Sequence, residues 1–438
     1  MYKKILILLI IILAIYVLSR LFTRRRILLE KQKNSQLYSV ETVENFTDAN
    51  TIDAIPQNLT LTNYFVKSSY NSCFDSNAII NPFSSYVLRG VLQKGYRFID
   101  MELCNMMSDS DNPIHVCINK YYNDDSNQDS SNTFPLKDAI SQIINIGLTM
   151  TDIGAKNYYE PLFIHIRIKH GNLSDDAVKS FYGKINEILF STTGVGTDLG
   201  NFVYPLNAMQ SVGNSNSQKL ASLTLSQIIN SNKKCFIIID KTNLKEDSLY
   251  DSNGNSVFNS NVIMSGFNTG EIPLYKYDDV RVKDGVYVLD NKDGNYESEK
   301  NIIVSGDKIN KTTFSIAISG NKYESINFYP YDIAKKYGVQ FATMNFTVND
   351  EGMKKYEKIF KSSKLTGFVP ISQVIKQAAT DVRSDVKNDI RRGIYIGFGI
   401  ISAVGLIYGI YKYGGLANFL RGRSQTGGGA NDSRRSKR

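Results

Sequence analysis

The chain has 438 residues, 42% of them hydrophobic and 21% charged, which is enough apolar material for two or three domains, or one large barrel with additions, and excludes a wholly disordered protein. The net charge of +9 belongs to the ends: residues 1–33 carry eight Lys/Arg against one Glu (+7), residues 383–438 carry eleven against three Asp (+8), and 34–382 is left at −6. A mildly acidic body argues against nucleic acid as its partner.

Residues 1–33 read as an N-terminal membrane anchor with a basic flank. Ile5 to Leu18 is uncharged and apolar, with Lys3 and Lys4 before it and Arg20 and Arg24-Arg25-Arg26 after it. It is shorter than the ~20 residues of a span, and Leu21 and Phe22 lengthen it if Arg20 snorkels. Arginines follow rather than a small-x-small cleavage site, so an uncleaved anchor is expected over a signal peptide. Residues 34–60 are polar and read as a linker.

From about residue 61 strands and helices alternate. Phe83 to Gln93 places Tyr86, Val87, Gly90 and Val91 at helical spacing, with Ser84 as N-cap. Strands are predicted over Tyr96–Leu103, Pro113–Ile118, Pro161–Ile168 and Cys235–Asp240. Helices are predicted over Leu136–Leu148, over Ser174–Phe190 with Ser174 as its cap, and over Leu223–Asn230. This rhythm predicts a parallel sheet closed as a (β/α) barrel. Residues 243–325 break it with turn signals at Asn253-Gly254, Asp284-Gly285 and Asp293-Gly294 between short runs such as Val286–Leu289 and Ile302–Val304, and read as a β-rich insertion. The barrel is expected to resume over 326–378 with a strand at Gln340–Phe346 and a helix at Glu351–Phe360.

A basic juxtamembrane segment, 379–392, leads to Gly393–Tyr411, nineteen residues without a charge and flanked by Arg391, Arg392 and Lys412. This reads as a transmembrane helix. Gly393/Gly397 and Gly405/Gly409 form GxxxG pairs that permit helix–helix association. Residues 412–438 read as a basic, disordered tail suited to anionic headgroups. Orientation stays open. The arginines after the first span favour a cytosolic body and those after the second a cytosolic tail, while Asn-x-Ser/Thr triplets at Asn45, Asn58, Asn172, Asn310 and Asn345 suit a lumenal body. The four cysteines (Cys73, Cys104, Cys117, Cys235) show no metal-binding spacing, and their disulfide state stays open.

Several motifs in order resemble phosphatidylinositol-specific phospholipase C, its X region and the end of its Y region. Ser69-Tyr70-Asn71-Ser72 stands where that family has Ser-His-Asn-Thr. Gly95-Tyr96-Arg97-Phe98-Ile99-Asp100-Met101-Glu102 resembles its Gly-Cys-Arg-x-(Val/Ile)-Glu-(Leu/Ile)-Asp strand. Leu136-Lys137-Asp138 and Pro161-Leu162-Phe163-Ile164 match the next helix and strand. Gln340-Phe341-Ala342-Thr343-Met344-Asn345-Phe346 resembles the Y-region Gln-x-Val-Ala-Leu-Asn-Phe, followed by Gly352-Met353 and Gly367-Phe368-Val369. The resemblance implies a TIM-like (β/α) barrel of the phospholipase-C-like phosphodiesterase type, to which the residues themselves add the β-rich insertion and a transmembrane helix at each end.

It also implies calcium at the C-terminal barrel mouth, with two histidines as general acid and base. Carried over, the metal ligands are Asn71, Asp100 and Glu102, the last two on one face of a strand. The first histidine is replaced by Tyr70, a poor base at neutral pH. The second falls on Cys117 in ungapped alignment, and a two-residue gap restores His115. The last acidic ligand falls on Arg167, which argues against calcium and reads as a polar lining, a salt bridge to Asp100 or Glu102, or a phosphate ligand. The inositol-stacking tyrosine corresponds to Tyr329, the phosphate arginine becomes Asn327, and Lys241 aligns with a headgroup lysine.

The first expectation is a membrane-anchored, catalytically degenerate barrel serving as a lipid- or phosphate-binding or structural module, with a membrane lipid, such as a phosphoinositide headgroup, as partner. The alternative is a divergent phosphoric diester hydrolase with His115 and His165 as acid and base, which requires both to lie within about 6–8 Å of Asp100 and Glu102. A third reading, from the Asn/Ile/Lys-rich, Trp-free composition, is an envelope or membrane structural protein of a large DNA virus.

Overall fold

In a computed structural model of the chain the described residues are 58–74, 85–106, 113–117, 133–171, 173–191, 198–209, 215–266, 271–276, 280–283, 286–289, 314–318, 327, 338–361 and 367–377. They fall within one unit, 38–378. The strands in chain order are β1 (Tyr64–Ser69), β2 (Phe98–Asn105), β3 (Ile114–Cys117), β4 (Phe134–Pro135), β5 (Leu162–Lys169), β6 (Cys235–Asp240) and β7 (Ile263–Gly266). They continue with β8 (Ile272–Lys276), β9 (Val280–Lys283), β10 (Val286–Leu289), β11 (Ile316–Ile318), β12 (Phe341–Met344) and β13 (Phe368–Pro370). The helices are α1 (Ser85–Gln93), α2 (Leu136–Gln142), α3 (Asp175–Phe190), α4 (Asn216–Ser222), α5 (Leu225–Ile229) and α6 (Glu351–Lys361).

Eight strands pair in parallel in the closed order β1-β12-β11-β8-β7-β6-β5-β2 and back to β1. The sequence of β5, Leu-Phe-Ile-His-Ile-Arg-Ile-Lys, shows why the sheet has two faces. Successive side chains of a strand point opposite ways, so Leu162, Ile164, Ile166 and Ile168 join the outer apolar layer while Phe163 enters the lumen. The outer layer is covered by Leu88, Val91 and Leu92 of α1, Val178, Phe181 and Ile185 of α3, and Tyr356 and Ile359 of α6. The helical face of α1 is therefore Leu88/Val91/Leu92, and Tyr86, expected on it, is 78% exposed.

Aromatic rings fill the lumen. Phe98 stacks on Phe341 at 4.6 Å, Phe163 on Phe236 at 5.1 Å, and Phe314 on Phe341 at 5.4 Å. Each such buried ring contributes about 1.5–3 kcal/mol relative to exposure. Leu61, Leu206, Leu220, Leu223, Leu225 and Ile228 close the basal pole, where the strands begin. Buried Arg97, Asn157 and Glu160 tie the starts of β2 and β5 together beneath it: Arg97 donates to Gly147 O (2.8 Å) and Asn157 Oδ1 (2.6 Å).

β3, β4 and β13 extend the sheet beyond the eight-strand ring. β3 folds back antiparallel along the outer end of β2, and β4 pairs with β3. β13 pairs antiparallel with the start of β1, matching Tyr64 with Pro370, and the backbone turns helical over 371–377.

The segment 243–325 departs from its expected role. It supplies three barrel strands, β7, β8 and β11, and its described part outside the ring includes the β9–β10 hairpin. The strands of this stretch are three to five residues long, too short for periodicity to announce them among the turn signals. The predicted helix 136–148 is α helical only to Gln142 and continues as a π-helical turn, Ile143–Leu148. Ser174 holds the N-cap position of α3, but its hydroxyl makes no capping bond.

No helix among the described residues is long and apolar enough to cross a membrane. The apolar runs 5–18 and 393–411, the two GxxxG pairs and Tyr329 lie outside the described residues, as do Ser84, the run Ile302–Val304, most of the linker 34–60, and the segments 379–392 and 412–438.

Candidate functional site at the barrel mouth

Strand alternation and register build the mouth in two layers. The lower joins Asp100 to His165 across β2 and β5. The upper runs Glu102, Arg167, Asp240, Ser265 across β2, β5, β6 and β7. Just beyond β1, Asn71 adopts a left-handed turn at φ 45°, which Asn tolerates better than most residues. The turn lets its backbone N–H donate to Asp100 Oδ2 at 3.0 Å.

Arg167 occupies the centre. Its Nε donates to Asp100 Oδ1 and its Nη2 to Asp100 Oδ2, both at 3.0 Å. Nη1 donates to Glu102 Oε2 at 2.7 Å, and Nη2 also donates to Asn71 Oδ1 at 2.5 Å. The Tyr70 ring caps the guanidinium at 4.9 Å, a cation–π contact. Burial alone would lower the pKa of Arg167, yet the charge of Asp100 foremost holds it well above its ordinary value. Burial alone would raise Asp100, and the Arg167 charge, followed by the His165 hydrogen bond, holds its carboxyl well below the carboxylate range. Burial foremost raises the pKa of the Tyr70 hydroxyl, which keeps it protonated and unavailable as a base at neutral pH.

The residues that the resemblance assigns to calcium, Asn71, Asp100 and Glu102, do converge, and they converge on a guanidinium. Glu102 Oε1 alone of their carboxylate oxygens is buried without a hydrogen-bond partner. One free carboxylate oxygen is far from the six to eight oxygens calcium takes, and no cluster of three His, Cys, Asp or Glu among the described residues could hold a metal ion. These residues do not fit calcium while Arg167 stands among them.

The two candidate acid–base groups do not converge. His165 is fully buried, with Nδ1 2.8 Å from Asp100 Oδ1 and Nε2 3.0 Å from Ser265 Oγ. In the neutral ring Nδ1 donates to the carboxylate and Nε2 accepts from the hydroxyl. Asp100, His165 and Ser265 thus stand in the order of a catalytic triad. All three are 0% exposed, so the row fixes the imidazole rather than presenting a nucleophile. His115 pairs with Cys104, four residues along β2 from Asp100, a separation of roughly 13 Å along the strand. Its Nδ1 lies 2.8 Å from Thr133 Oγ1. Cys117, not His115, stands opposite Glu102. Cys104, Cys117 and Met106 form a small buried apolar cluster there.

The headgroup positions are also dispersed. Lys241 leaves β6 with its ammonium 3.9 Å from Glu246. Asn327 is 7% exposed, and its Nδ2 donates to the carbonyls of Asn345 (2.9 Å) and Val348 (3.2 Å), a structural strap. Sequence reasoning missed Ser265 and Asp240. Nothing in Met264-Ser265-Gly266 marks a site, whereas the end of β6, Ile-Ile-Ile-Asp, does place a carboxylate where a barrel strand terminates.

No protein-family model matches the chain, and no curated protein matches it. Among solved structures it is similar to the PLC21 structures of L. pealei and S. officinalis, each 14% identical with a TM-score of 0.46, over 73% of this chain and 38% of theirs. It is also similar to a calcium-dependent phosphoinositol-specific phospholipase C from a Gram-negative bacterium, Pseudomonas sp., 11% identical with a TM-score of 0.36, over 68% of this chain and 94% of that one. The chain thus spans well under half the length of the PLC21 structures.

Proposed function

We propose that this chain is a membrane-anchored, phospholipase-C-like barrel that does not hydrolyse phosphodiesters and serves as a structural, lipid-facing module. The observation that carries the reading is the Arg167 guanidinium, which takes the side-chain oxygen of Asn71, both carboxylate oxygens of Asp100 and one of Glu102. Three carboxylates, Asp100, Glu102 and Asp240, stand in or beside these two layers against that guanidinium, so the mouth favours neither a phosphate anion nor catalysis on one. The second acid–base group such chemistry needs is absent from reach of His165 among the described residues, because His115 sits at the far end of β2 and Tyr70 is held protonated. Anchoring is read from the apolar runs 5–18 and 393–411.

The test is phosphatidylinositol cleavage by the full chain in vesicles, with calcium and with a chelator, beside His165→Ala and His115→Ala. No turnover in any arm is expected. Turnover that either substitution abolishes would establish the divergent hydrolase instead.

A further inference from the structure

Both ends of the barrel emerge at one pole. β1 begins at Tyr64, where all eight parallel strands begin, and β13 runs back beside it to place Pro370 opposite Tyr64. The chain therefore enters and leaves at the basal pole, opposite the mouth. From Gln377 only fifteen residues separate it from Gly393, where the uncharged run starts. Fully extended, these reach at most ~50 Å.

The same pole carries exposed apolar side chains on an ordered loop. Met150 is 80% exposed and Ile153 51%, in the connection between the π-helical turn and β5. The bonds that hold this loop include Gln93 Nε2 to Ile153 O at 2.7 Å, the Thr151 hydroxyl to Asn145 O at 3.2 Å, Ala155 N to Ile146 O at 2.7 Å, and the Tyr158 hydroxyl to Met150 Sδ at 3.4 Å. Lys94, Lys156 and Lys233, all exposed, lie in connections at this pole and outnumber the exposed Asp152. Apolar tips inside a cationic rim fit an anionic lipid surface, which attracts each lysine and accepts the tips at headgroup depth.

We propose that the basal pole rests on an anionic bilayer, with Met150 and Ile153 as its apolar tips and Lys94, Lys156 and Lys233 as its cationic rim, so that the barrel mouth faces away from the lipid. This rests on the reading of the terminal segments as membrane anchors. A mouth turned from the bilayer meets no headgroup, in keeping with its closure by Arg167.

The chain contains no tryptophan, so one substitution makes a single emitting reporter. Full chains bearing Met150→Trp, Ile153→Trp or Tyr86→Trp, the last at the start of α1 toward the mouth, are reconstituted in phosphatidylcholine vesicles with and without phosphatidylserine. In the mixed vesicles the reporters at 150 and 153 should shift to the blue and lose emission to brominated lipid. Both effects should weaken without phosphatidylserine, and the reporter at 86 should emit as in water. Quenching at 86 with none at 150 and 153 overturns the proposal, as does equal quenching at both poles, or shielding at 150 and 153 that brominated lipid does not touch and that a protein neighbour would explain. Recovery of the unmodified chain in the vesicle-free fraction would overturn the anchored reading itself, a separate result.

Discussion

The guanidinium of Arg167 grips the carboxylate of Asp100 through two parallel hydrogen bonds, Nε to Oδ1 and Nη2 to Oδ2, each 3.0 Å long. Such a fork is the strongest geometry available to this pair of groups. Asp100 also accepts from His165 and from the backbone of Asn71, so one buried carboxylate organises the strand ends of β1, β2 and β5.

Removing the arginine should expose what it conceals. Arg167→Ala leaves Asp100 and Glu102 buried without a countercharge, a loss of about 3–5 kcal/mol, or a fall in Tm on the order of 10 °C. Calcium should then raise the melting temperature of Arg167→Ala and leave that of the wild type unchanged. Equal calcium responses, read by scanning fluorimetry, would refute the idea that the guanidinium excludes the metal.

Acid should act through Asp100. Its folded pKa lies below the unfolded value near 3.9, so its contribution is complete above about pH 4 and is lost as pH falls towards the folded value. Urea unfolding of the wild type should weaken below about pH 4, and Asp100→Asn should lack most of that dependence while being less stable at neutral pH. An unchanged acid slope in Asp100→Asn would place the titration elsewhere.

A second buried ion cluster makes a steric prediction. A Cβ on Gly367 would collide with the Arg97 side chain and lie 2.7 Å from Glu160 Oε2, the oxygen that the Gly367 N–H itself reaches at 3.2 Å. Both partners are fully buried and cannot swing into water. Gly367→Ala should therefore cost about 1–3 kcal/mol or more, whereas Gly183→Ala, where a Cβ meets nothing within 4 Å, should be neutral or slightly stabilising. Equilibrium unfolding of the two variants side by side would decide it.

The thiols should be silent. All four cysteines are buried, and burial pushes the thiols of Cys73, Cys117 and Cys235 up. Ellman's reagent at neutral pH should find no reactive thiol in the native chain and all four after denaturation. Rapid native labelling of Cys104 or Cys117 would show that their cluster opens.

Where the sequence carried a long alternating strand, fold and site were legible together. β2 and β5 each hold eight residues, enough for period two to show which side chains share a face. Asp100, Glu102, His165 and Arg167 could therefore be placed at one mouth. The short strands β7, β8 and β11 offered no such period, and with them went Ser265, whose importance comes from a partner a hundred residues away. The position of His115 was illegible for another reason. Its strand is real, but it folds back on β2 instead of joining the ring, and an antiparallel return carries residues away from a layer that a parallel neighbour would have entered.

The pairing of Tyr64 with Pro370 has a mechanical meaning. Because the first and last strands lie side by side and antiparallel, a pull that separates the two ends sideways opens that short ladder one hydrogen bond after another, at low force. The helical turn over 371–377, with Ile371 and Val374 buried, and then β13 detach before the seven strands of the ring other than β1 are loaded. The protein would then yield first at this seam, and its barrel would survive the drift of its two ends.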